Sequence, residues 1–148
     1  MEVKIKLLNE LAKIPKYGRD GDAGLDFTAT DLKYIENDDG KLDILEYSTG
    51  VCIEIPNGYV GLVYPRSSLS NYDLLLCNHV GVIDSNYRGE IVFRFKITDR
   101  TKTYWNTYSI GDRIGQLMII PYPAIKFVEV KDLSDSNRAE NGFGSSGN

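Results

Sequence analysis

Histidine occurs once in the 148 residues, at His79, and cysteine twice, at Cys52 and Cys77. A single histidine excludes a multi-histidine metal site and leaves a Ser-His-Asp triad with weak support. The cysteines are far apart, form no CxxC pair and sit in strand-like apolar runs, so they read as small core residues in a reducing compartment. No apolar run approaches the ~20 residues of a membrane span. The opening MEVKIKLL mixes Glu2, Lys4 and Lys6 with its apolar residues and lacks the uninterrupted core of a secretory signal. The expectation is a soluble cytoplasmic chain with no membrane partner. No sign of charge dominates either: 17 Lys and Arg against 21 Asp and Glu leave a net charge of -4, too little for a broad footprint on a nucleic-acid polymer. There is no GxxxxGK[ST] phosphate loop, so any phosphate has to be held by a few local groups.

What the chain does have is alternation. Val3, Ile5 and Leu7 recur at a period of two, as do Val51, Ile53 and Ile55; Val92, Phe93 and Phe95 with Ile97 form another apolar run, and Ile125, Phe127, Val128 and Val130 a fourth. Gly, Pro, Asn and Asp clusters punctuate these runs at Asn37 to Gly40, Pro56 to Gly58, Tyr87 to Gly89 and Gly111 to Asp112. No long 3.6-residue period is present, and the best helical candidate is one or two turns around Ser67 to Tyr72. The pattern predicts an all-β, compact antiparallel barrel or jelly roll. From Ser134 to Asn148 the composition turns to Ser, Gly and Asn, which reads as a flexible tail following a single domain over residues 1–133.

Several segments carry chemistry-capable side chains, each with an ordinary structural use. Tyr64-Pro-Arg-Ser-Ser-Leu-Ser70 puts a cation and hydroxyls after an apolar strand, where turn amides can join them around an anion, although a surface turn needs no more than this. Asn78 to Gly89 reads as a strand, a turn containing Asp84, Ser85 and Asn86, and a return strand from Glu90. Asp84 follows Val82 and Ile83, where partial desolvation would suit a general base, but Asp also opens β-turns for conformational reasons. Asp20 to Asp26 has the rhythm of a calcium loop without the closing Glu. Trp105, Tyr104 and Tyr108 lie in a polar, hairpin-like stretch suited to packing or a subunit contact.

In order along the chain, Asp22-Ala-Gly-Leu-Asp-Phe-Thr-Ala29, Pro65-Arg-Ser-Ser-Leu69, Gly81-Val-Ile-Asp-Ser-Asn-Tyr-Arg-Gly89, Arg113-Ile-Gly-Gln-Leu117 and Arg138-Ala-Glu-Asn-Gly-Phe-Gly-Ser-Ser-Gly147 together resemble the five motifs of the trimeric dUTPase family. They span residues 22–147, and the third and fifth are specific at full length.

The resemblance implies a distorted jelly-roll barrel of the β-clip type, a homotrimer, and three active sites at the subunit interfaces. The first, second and fourth motifs of each site would come from one chain, the third from another and the fifth from the remaining one, carried by the arm of residues 134–148. The implied reaction is hydrolysis of dUTP to dUMP and pyrophosphate, which keeps uracil out of DNA and supplies dUMP for dTMP synthesis. Asp84 matches the general base that directs water at the α-phosphorus. Arg66, Ser67, Ser68 and Gln116 match phosphate-contacting positions, and Arg138 with Gly144, Ser145 and Ser146 would close over the β- and γ-phosphates. Magnesium is implied as cofactor, held by the triphosphate and waters, with Asp26 holding a water in the outer shell. Asn78 and the backbone at Gly81, Val82 and Ile83 would read the uracil edge, Tyr87 would lie against the deoxyribose, and Phe143 would stack on the base.

The chain departs from the family pattern at Ser68, where Gly is frequent, and at Ala139 and Asn141 in the tail. The stretch Asp99 to Ser109 looks slightly long and reads as a surface hairpin. Two rivals accompany the dUTPase reading. One is a dCTP deaminase-like enzyme on the same barrel, disfavoured by the Asp84 and Tyr87 pair and the complete tail motif. The other is a regulatory binder using residues 99–109 toward an unknown protein partner.

Overall fold

The computed structural model describes residues 1–99, 101–102, 104–137 and 139–140. Ten strands follow one another as β1 (Lys4–Leu7), β2 (Lys16–Tyr17), β3 (Leu25–Thr28), β4 (Asp31–Glu36), β5 (Leu42–Glu54), β6 (Tyr59–Pro65), β7 (Leu74–Leu76), β8 (Gly81–Ile83), β9 (Glu90–Ile97) and β10 (Arg113–Pro121). Among the described residues the only helix is a 3-10 turn at Ser67–Asn71, where a turn or two of helix was expected.

Every strand pairing is antiparallel. One sheet runs β1-β5-β9-β7, with β4 also on β5, and the other runs β2-β3-β10-β6-β8. The all-β expectation holds, in two five-stranded sheets that share one core. Alternation explains it most clearly in β9, where Ile91, Phe93, Phe95 and Ile97 are buried and the residues between them face out. Each such side chain contributes roughly 1.5–3 kcal/mol when fully buried. Across the core, Phe93 packs against Phe27 of the other sheet with ring centroids 5.8 Å apart. Gly115 of β10 lies so close to the Phe93 ring that a Cβ there would collide with it. The ring therefore fixes glycine one residue before Gln116.

The long strand β5 changes register with β9 between Ser48 and Cys52. Gly50 takes a left-handed φ of +67° at this bulge, and the Glu90 carboxylate accepts the amides of Thr49 at 3.1 Å and Gly50 at 2.6 Å. The backbone donors released by the bulge are thus satisfied by a side chain.

Four expectations need correction. Ile125, Phe127, Val128 and Val130 form no strand; the chain leaves β10 at Pro121 and these side chains are exposed, Phe127 at 92%. Cys77 is exposed and Cys52 only half-buried, because Cys77 continues the β7 alternation one step past buried Leu76. Val92 faces outward, opposite in sense to Phe93. The stretch after Asp99 forms no hairpin among its described residues: Trp105 packs on the core and Tyr108 enters it, while Tyr104 stays exposed.

Candidate active site

Strand register brings three of the sequence motifs to one place. Gln116 of β10 pairs with Asp26 of β3 on one side and with Tyr64 of β6 on the other. Arg66 leaves the end of β6 directly after Pro65 and points back over this junction. Its Nε donates to Asp26 Oδ1 at 2.9 Å, and Arg113 Nη1 donates to Asp26 Oδ2 at 2.8 Å. One carboxylate with 12% side-chain exposure therefore holds two guanidinium groups. Such charge-assisted bonds are the stronger kind. Gln116 Nε2 donates to the Pro65 carbonyl at 3.0 Å, and Gly24 lies so close to the Gln116 side chain that a Cβ would overlap it. That close approach gives the glycine of Asp22-Ala-Gly24 a steric role.

These groups line a cleft of about 700 Å³ together with Gly18, Arg19, Asp22, Tyr64 and Ser67. Ser67 opens the 3-10 turn, and Ser68 Oγ accepts from Arg66 Nη1 at 3.3 Å. The cleft therefore offers the hydroxyls of Tyr64 and Ser67, the Gln116 amide and three arginines, Arg19, Arg66 and Arg113, a set suited to an oligophosphate. Arg113, which the sequence motif alone does not single out, joins the site here; its place as first residue of β10, on the motif that carries Gln116, is the available signal.

Asp84 lies elsewhere. It follows β8, whose Ile83 pairs with Gly61 of β6, and it lines a separate cleft of about 560 Å³ with Asn57, Tyr59, Val82, Ser85 and Tyr122. Gly61 and Arg66 are five residues apart along β6, or about 16 Å at ~3.3 Å per residue. Asp84 runs on from Ile83 away from Arg66. It is exposed in the single chain, so the partial desolvation expected from its apolar neighbours is not provided within one chain. The expected hairpin is also corrected: β8 pairs with β6 and β9 with β5 and β7, so the turn at residues 84–89 crosses from one sheet to the other.

That turn is braced locally. Tyr87 N donates to Asp84 O at 3.1 Å, and Arg88 Nη1 donates to the carbonyls of Ser85 at 2.7 Å and Tyr87 at 2.8 Å. Arg88 had no role assigned from sequence. The Tyr87 hydroxyl donates to Glu90 O at 2.9 Å, which folds the ring over Gly89, where a Cβ would strike it. Near the start of β8, a Cβ on Gly81 would come within 2.9 Å of Asn78 Nδ2. Asn78 and bare backbone thus share one edge, with Val82 exposed and Ile83 half-buried beside it. His79 takes a left-handed φ of 56° in the preceding turn. Arg138, Phe143, Gly144, Ser145 and Ser146 lie outside the described residues.

Among the described residues, no helix is long and apolar enough to cross a membrane. The stretch after Asp99 is tied inward: Lys102 pairs with Asp73, and the Trp105 indole donates to Asp99 O at 2.6 Å.

Comparison with known proteins matches the chain to a family. The dUTPase family model matches residues 10–147. A deoxyuridine 5'-triphosphate nucleotidohydrolase of Leifsonia xyli is 40% identical over 136 residues, covering 91% of this chain and 86% of that protein. One from Crocosphaera subtropica is 37% identical over 99% of both chains. Among solved structures, a variant of the dUTPase of Staphylococcus bacteriophage 80alpha with dUpNHpp superposes with a TM-score of 0.83 at 27% identity, covering 99% of this chain and 98% of that one. The chain belongs to the dUTPase family.

Proposed function

We propose that the chain hydrolyses dUTP to dUMP and pyrophosphate in a site composed from several copies of itself, with Asp84 as the general base. The observation that carries this reading is the placement of the base and the phosphate-binding arginine toward opposite ends of β6. A single phosphate cannot meet both in one chain. A homotrimer in which the Asp84 turn of one copy faces the Asp26 cleft of the next reunites them, and it also supplies the desolvation that Asp84 lacks alone. Arg138, Phe143, Gly144, Ser145 and Ser146 of the residue 134–148 arm complete the site from the third copy, over the distal phosphates and the base.

In the reaction a water oxygen attacks the α-phosphorus while Asp84 takes one of its protons. The bond from the α-phosphorus to the oxygen bridging to the β-phosphate breaks, and pyrophosphate leaves. A base so placed is worth about 10² to 10⁴ in rate. Arg66, Arg113, Ser67, Ser68 and Gln116 hold the phosphates and stabilise the charge that moves onto them. Asn78 with Gly81, Val82 and Ile83 reads the uracil edge, where cytosine would leave buried donors and acceptors unpaired, a mismatch able to discriminate by about 10⁴. Tyr87, fixed over Gly89, takes the side of the sugar that bears no 2'-hydroxyl.

Magnesium fits as an ion brought by the triphosphate. Among the described residues no three His, Cys, Asp or Glu side chains converge on a cage. Both Asp26 oxygens already accept from arginines, yet a carboxylate has about four lone-pair sites, which leaves room to accept from a metal-bound water. When bound, the ion neutralises triphosphate charge. The test is pyrophosphate release from dUTP, dCTP, dTTP and UTP, with and without magnesium. The expected outcome is magnesium-dependent turnover of dUTP far above the others; ammonia release from dCTP would assign the deaminase chemistry instead.

A further inference from the structure

At the start of β9 two strands of unequal length are reconciled. Between the Ser48–Val92 and Cys52–Glu90 pairs, β5 carries Thr49, Gly50 and Val51 where β9 carries only Ile91. All three amides find side-chain acceptors: Val51 N donates to Thr49 Oγ1 at 3.3 Å, and the amides of Thr49 and Gly50 converge on one oxygen, Glu90 Oε1. The three residues are buried, so these donors have no water to fall back on. The bulge is pinned from its other side as well. Leu8 N donates to Gly50 O at 2.8 Å, and a Cβ on Gly50 would collide with Ala12 and the Asn9 side chain. Glu90 therefore grips a part of the sheet that has no room to move.

The same residue ends the Asp84 turn. Its carboxylate faces the bulge, and its carbonyl accepts from the Tyr87 hydroxyl at 2.9 Å. Tyr87 is 42% exposed, so packing within the chain does little to hold its ring beyond the contact with Gly89. The hydroxyl bond is what keeps the ring from swinging off that glycine. A phenol has one proton to give. With that proton committed to Glu90 O, Tyr87 has no donor left for a sugar, and what it can offer there is bulk. Bulk discriminates only if it cannot yield, and a ring free to shift by about 1 Å makes room for a hydroxyl.

Resting on the assignment of Tyr87 to the sugar in the function proposed above, we propose that Glu90 is a positioning residue for the exclusion of ribonucleotides: its carboxylate grips the β5 bulge, the grip fixes its carbonyl, and the carbonyl holds the Tyr87 ring against displacement by a 2'-hydroxyl. The turn leaves the sheet of β8, and the rigidity of its far end comes from the sheet of β5 and β9. One oxygen suffices for the grip. Glu90 Oε1 accepts both amides, and among the described residues Oε2 has no hydrogen-bond partner. Glutamine can keep the first oxygen in place, whereas alanine leaves two buried donors unpaired.

The test compares dUTP with UTP through kcat/KM and, independently of turnover, dUDP with UDP through Kd. The variants are Glu90→Ala, Glu90→Gln, Tyr87→Phe, Tyr87→Ala and the double variant Glu90→Ala with Tyr87→Phe. Glu90→Ala and Tyr87→Phe remove the two ends of one link, so each is expected to lower both preferences about fivefold, the worth of one ordinary hydrogen bond. The double variant should fall no further than either alone, while its Tm drops as far as that of Glu90→Ala, since stability follows the bulge and not the ring. Glu90→Gln should restore most of the preference. The proposal is overturned if Glu90→Ala lowers Tm without moving either preference, which would confine Glu90 to the bulge. It is equally overturned if Tyr87→Phe leaves both unaltered, and this exposed change decides the matter should Glu90→Ala fail to fold. Tyr87→Ala separates the inference from the reading beneath it. A preference unmoved by Tyr87→Ala overturns the assignment of Tyr87 to the sugar and the proposal with it; one moved by Tyr87→Ala but not by Glu90→Ala or Tyr87→Phe overturns the link through Glu90 alone.

Discussion

The Asp26 cleft and the Asp84 turn are built by opposite means. The cleft is held by bonds between residues distant in sequence, Arg66 to Asp26 across 40 positions and Arg113 to Asp26 across 87. The turn is held mostly by bonds spanning one to three residues, from Arg88 to Ser85 and Tyr87 and from Tyr87 to Glu90, with the Ser85 hydroxyl donating to Asn57 Oδ1 at 3.3 Å as a longer tie. One exists only when three strands have met; the other is shaped mostly by its own few residues and presents Asp84 to solvent. The difference teaches that the proposed phosphate cleft is a property of the folded sheet, whereas the proposed base sits on a largely local turn that gains its environment from whatever it docks against.

The largest effect should separate the two in chemistry. Asp84→Asn keeps shape and hydrogen bonding but cannot take the proton, so kcat should fall by about 10² to 10⁴ while substrate binding survives. A variant retaining more than about a tenth of wild-type turnover would remove Asp84 from the role of base. Mixing chains sharpens the same contrast. Co-expression of Asp84→Asn with a chain ending at Asn137, each inactive alone, should restore up to roughly a quarter of wild-type activity in random heterotrimers, since base and tail then come from different copies. Verified mixed trimers without activity would refute that division of labour.

In stability the two should reverse. Asp26→Ala leaves the half-buried Arg66 and the exposed Arg113 without their shared carboxylate and is expected to cost about 1–3 kcal/mol, read as a lower urea midpoint at unchanged m. Asp84→Ala on its exposed turn should stay within about 0.5 kcal/mol; equal losses would show that the turn is as integral as the cleft. Tyr87→Ala should raise UTP turnover relative to dUTP by about tenfold, the scale of a modest packing difference. An unchanged ratio would place sugar selection away from Tyr87.

Sequence reached the class of fold through β9 and β5, because a period of two in residues such as Phe93, Phe95 and Ile97 reports directly which side chains share a face. The same logic misled at Ile125 to Val130. Periodicity says that a face is apolar, never which surface covers it, and within one chain nothing covers Phe127. Asp84 was recognised in its turn, yet the change of sheet was not, since the residues 84–89 carry no information about whether β8 and β9 pair with each other or elsewhere. In the cleft, Asp26, Arg66 and Gln116 were each named from motifs, but their convergence depends on the β3-β10-β6 register. Arg113 was passed over for the same reason: only the register reveals that it shares a carboxylate with Arg66.

That shared carboxylate has a further consequence. Arginine side chains are rich in rotamers, and immobilising one on binding costs about 0.5–1.5 kcal/mol. Arg66 and Arg113 are already oriented by Asp26 before any ligand arrives, so much of that rotamer freedom is lost during folding instead of at the moment of association. On the proposed function, Asp26 serves as a resident template for an anion, holding two guanidinium groups in place at the cleft. On that reading a triphosphate entering there meets cations whose directions are set, and its affinity reflects contacts made more than order imposed.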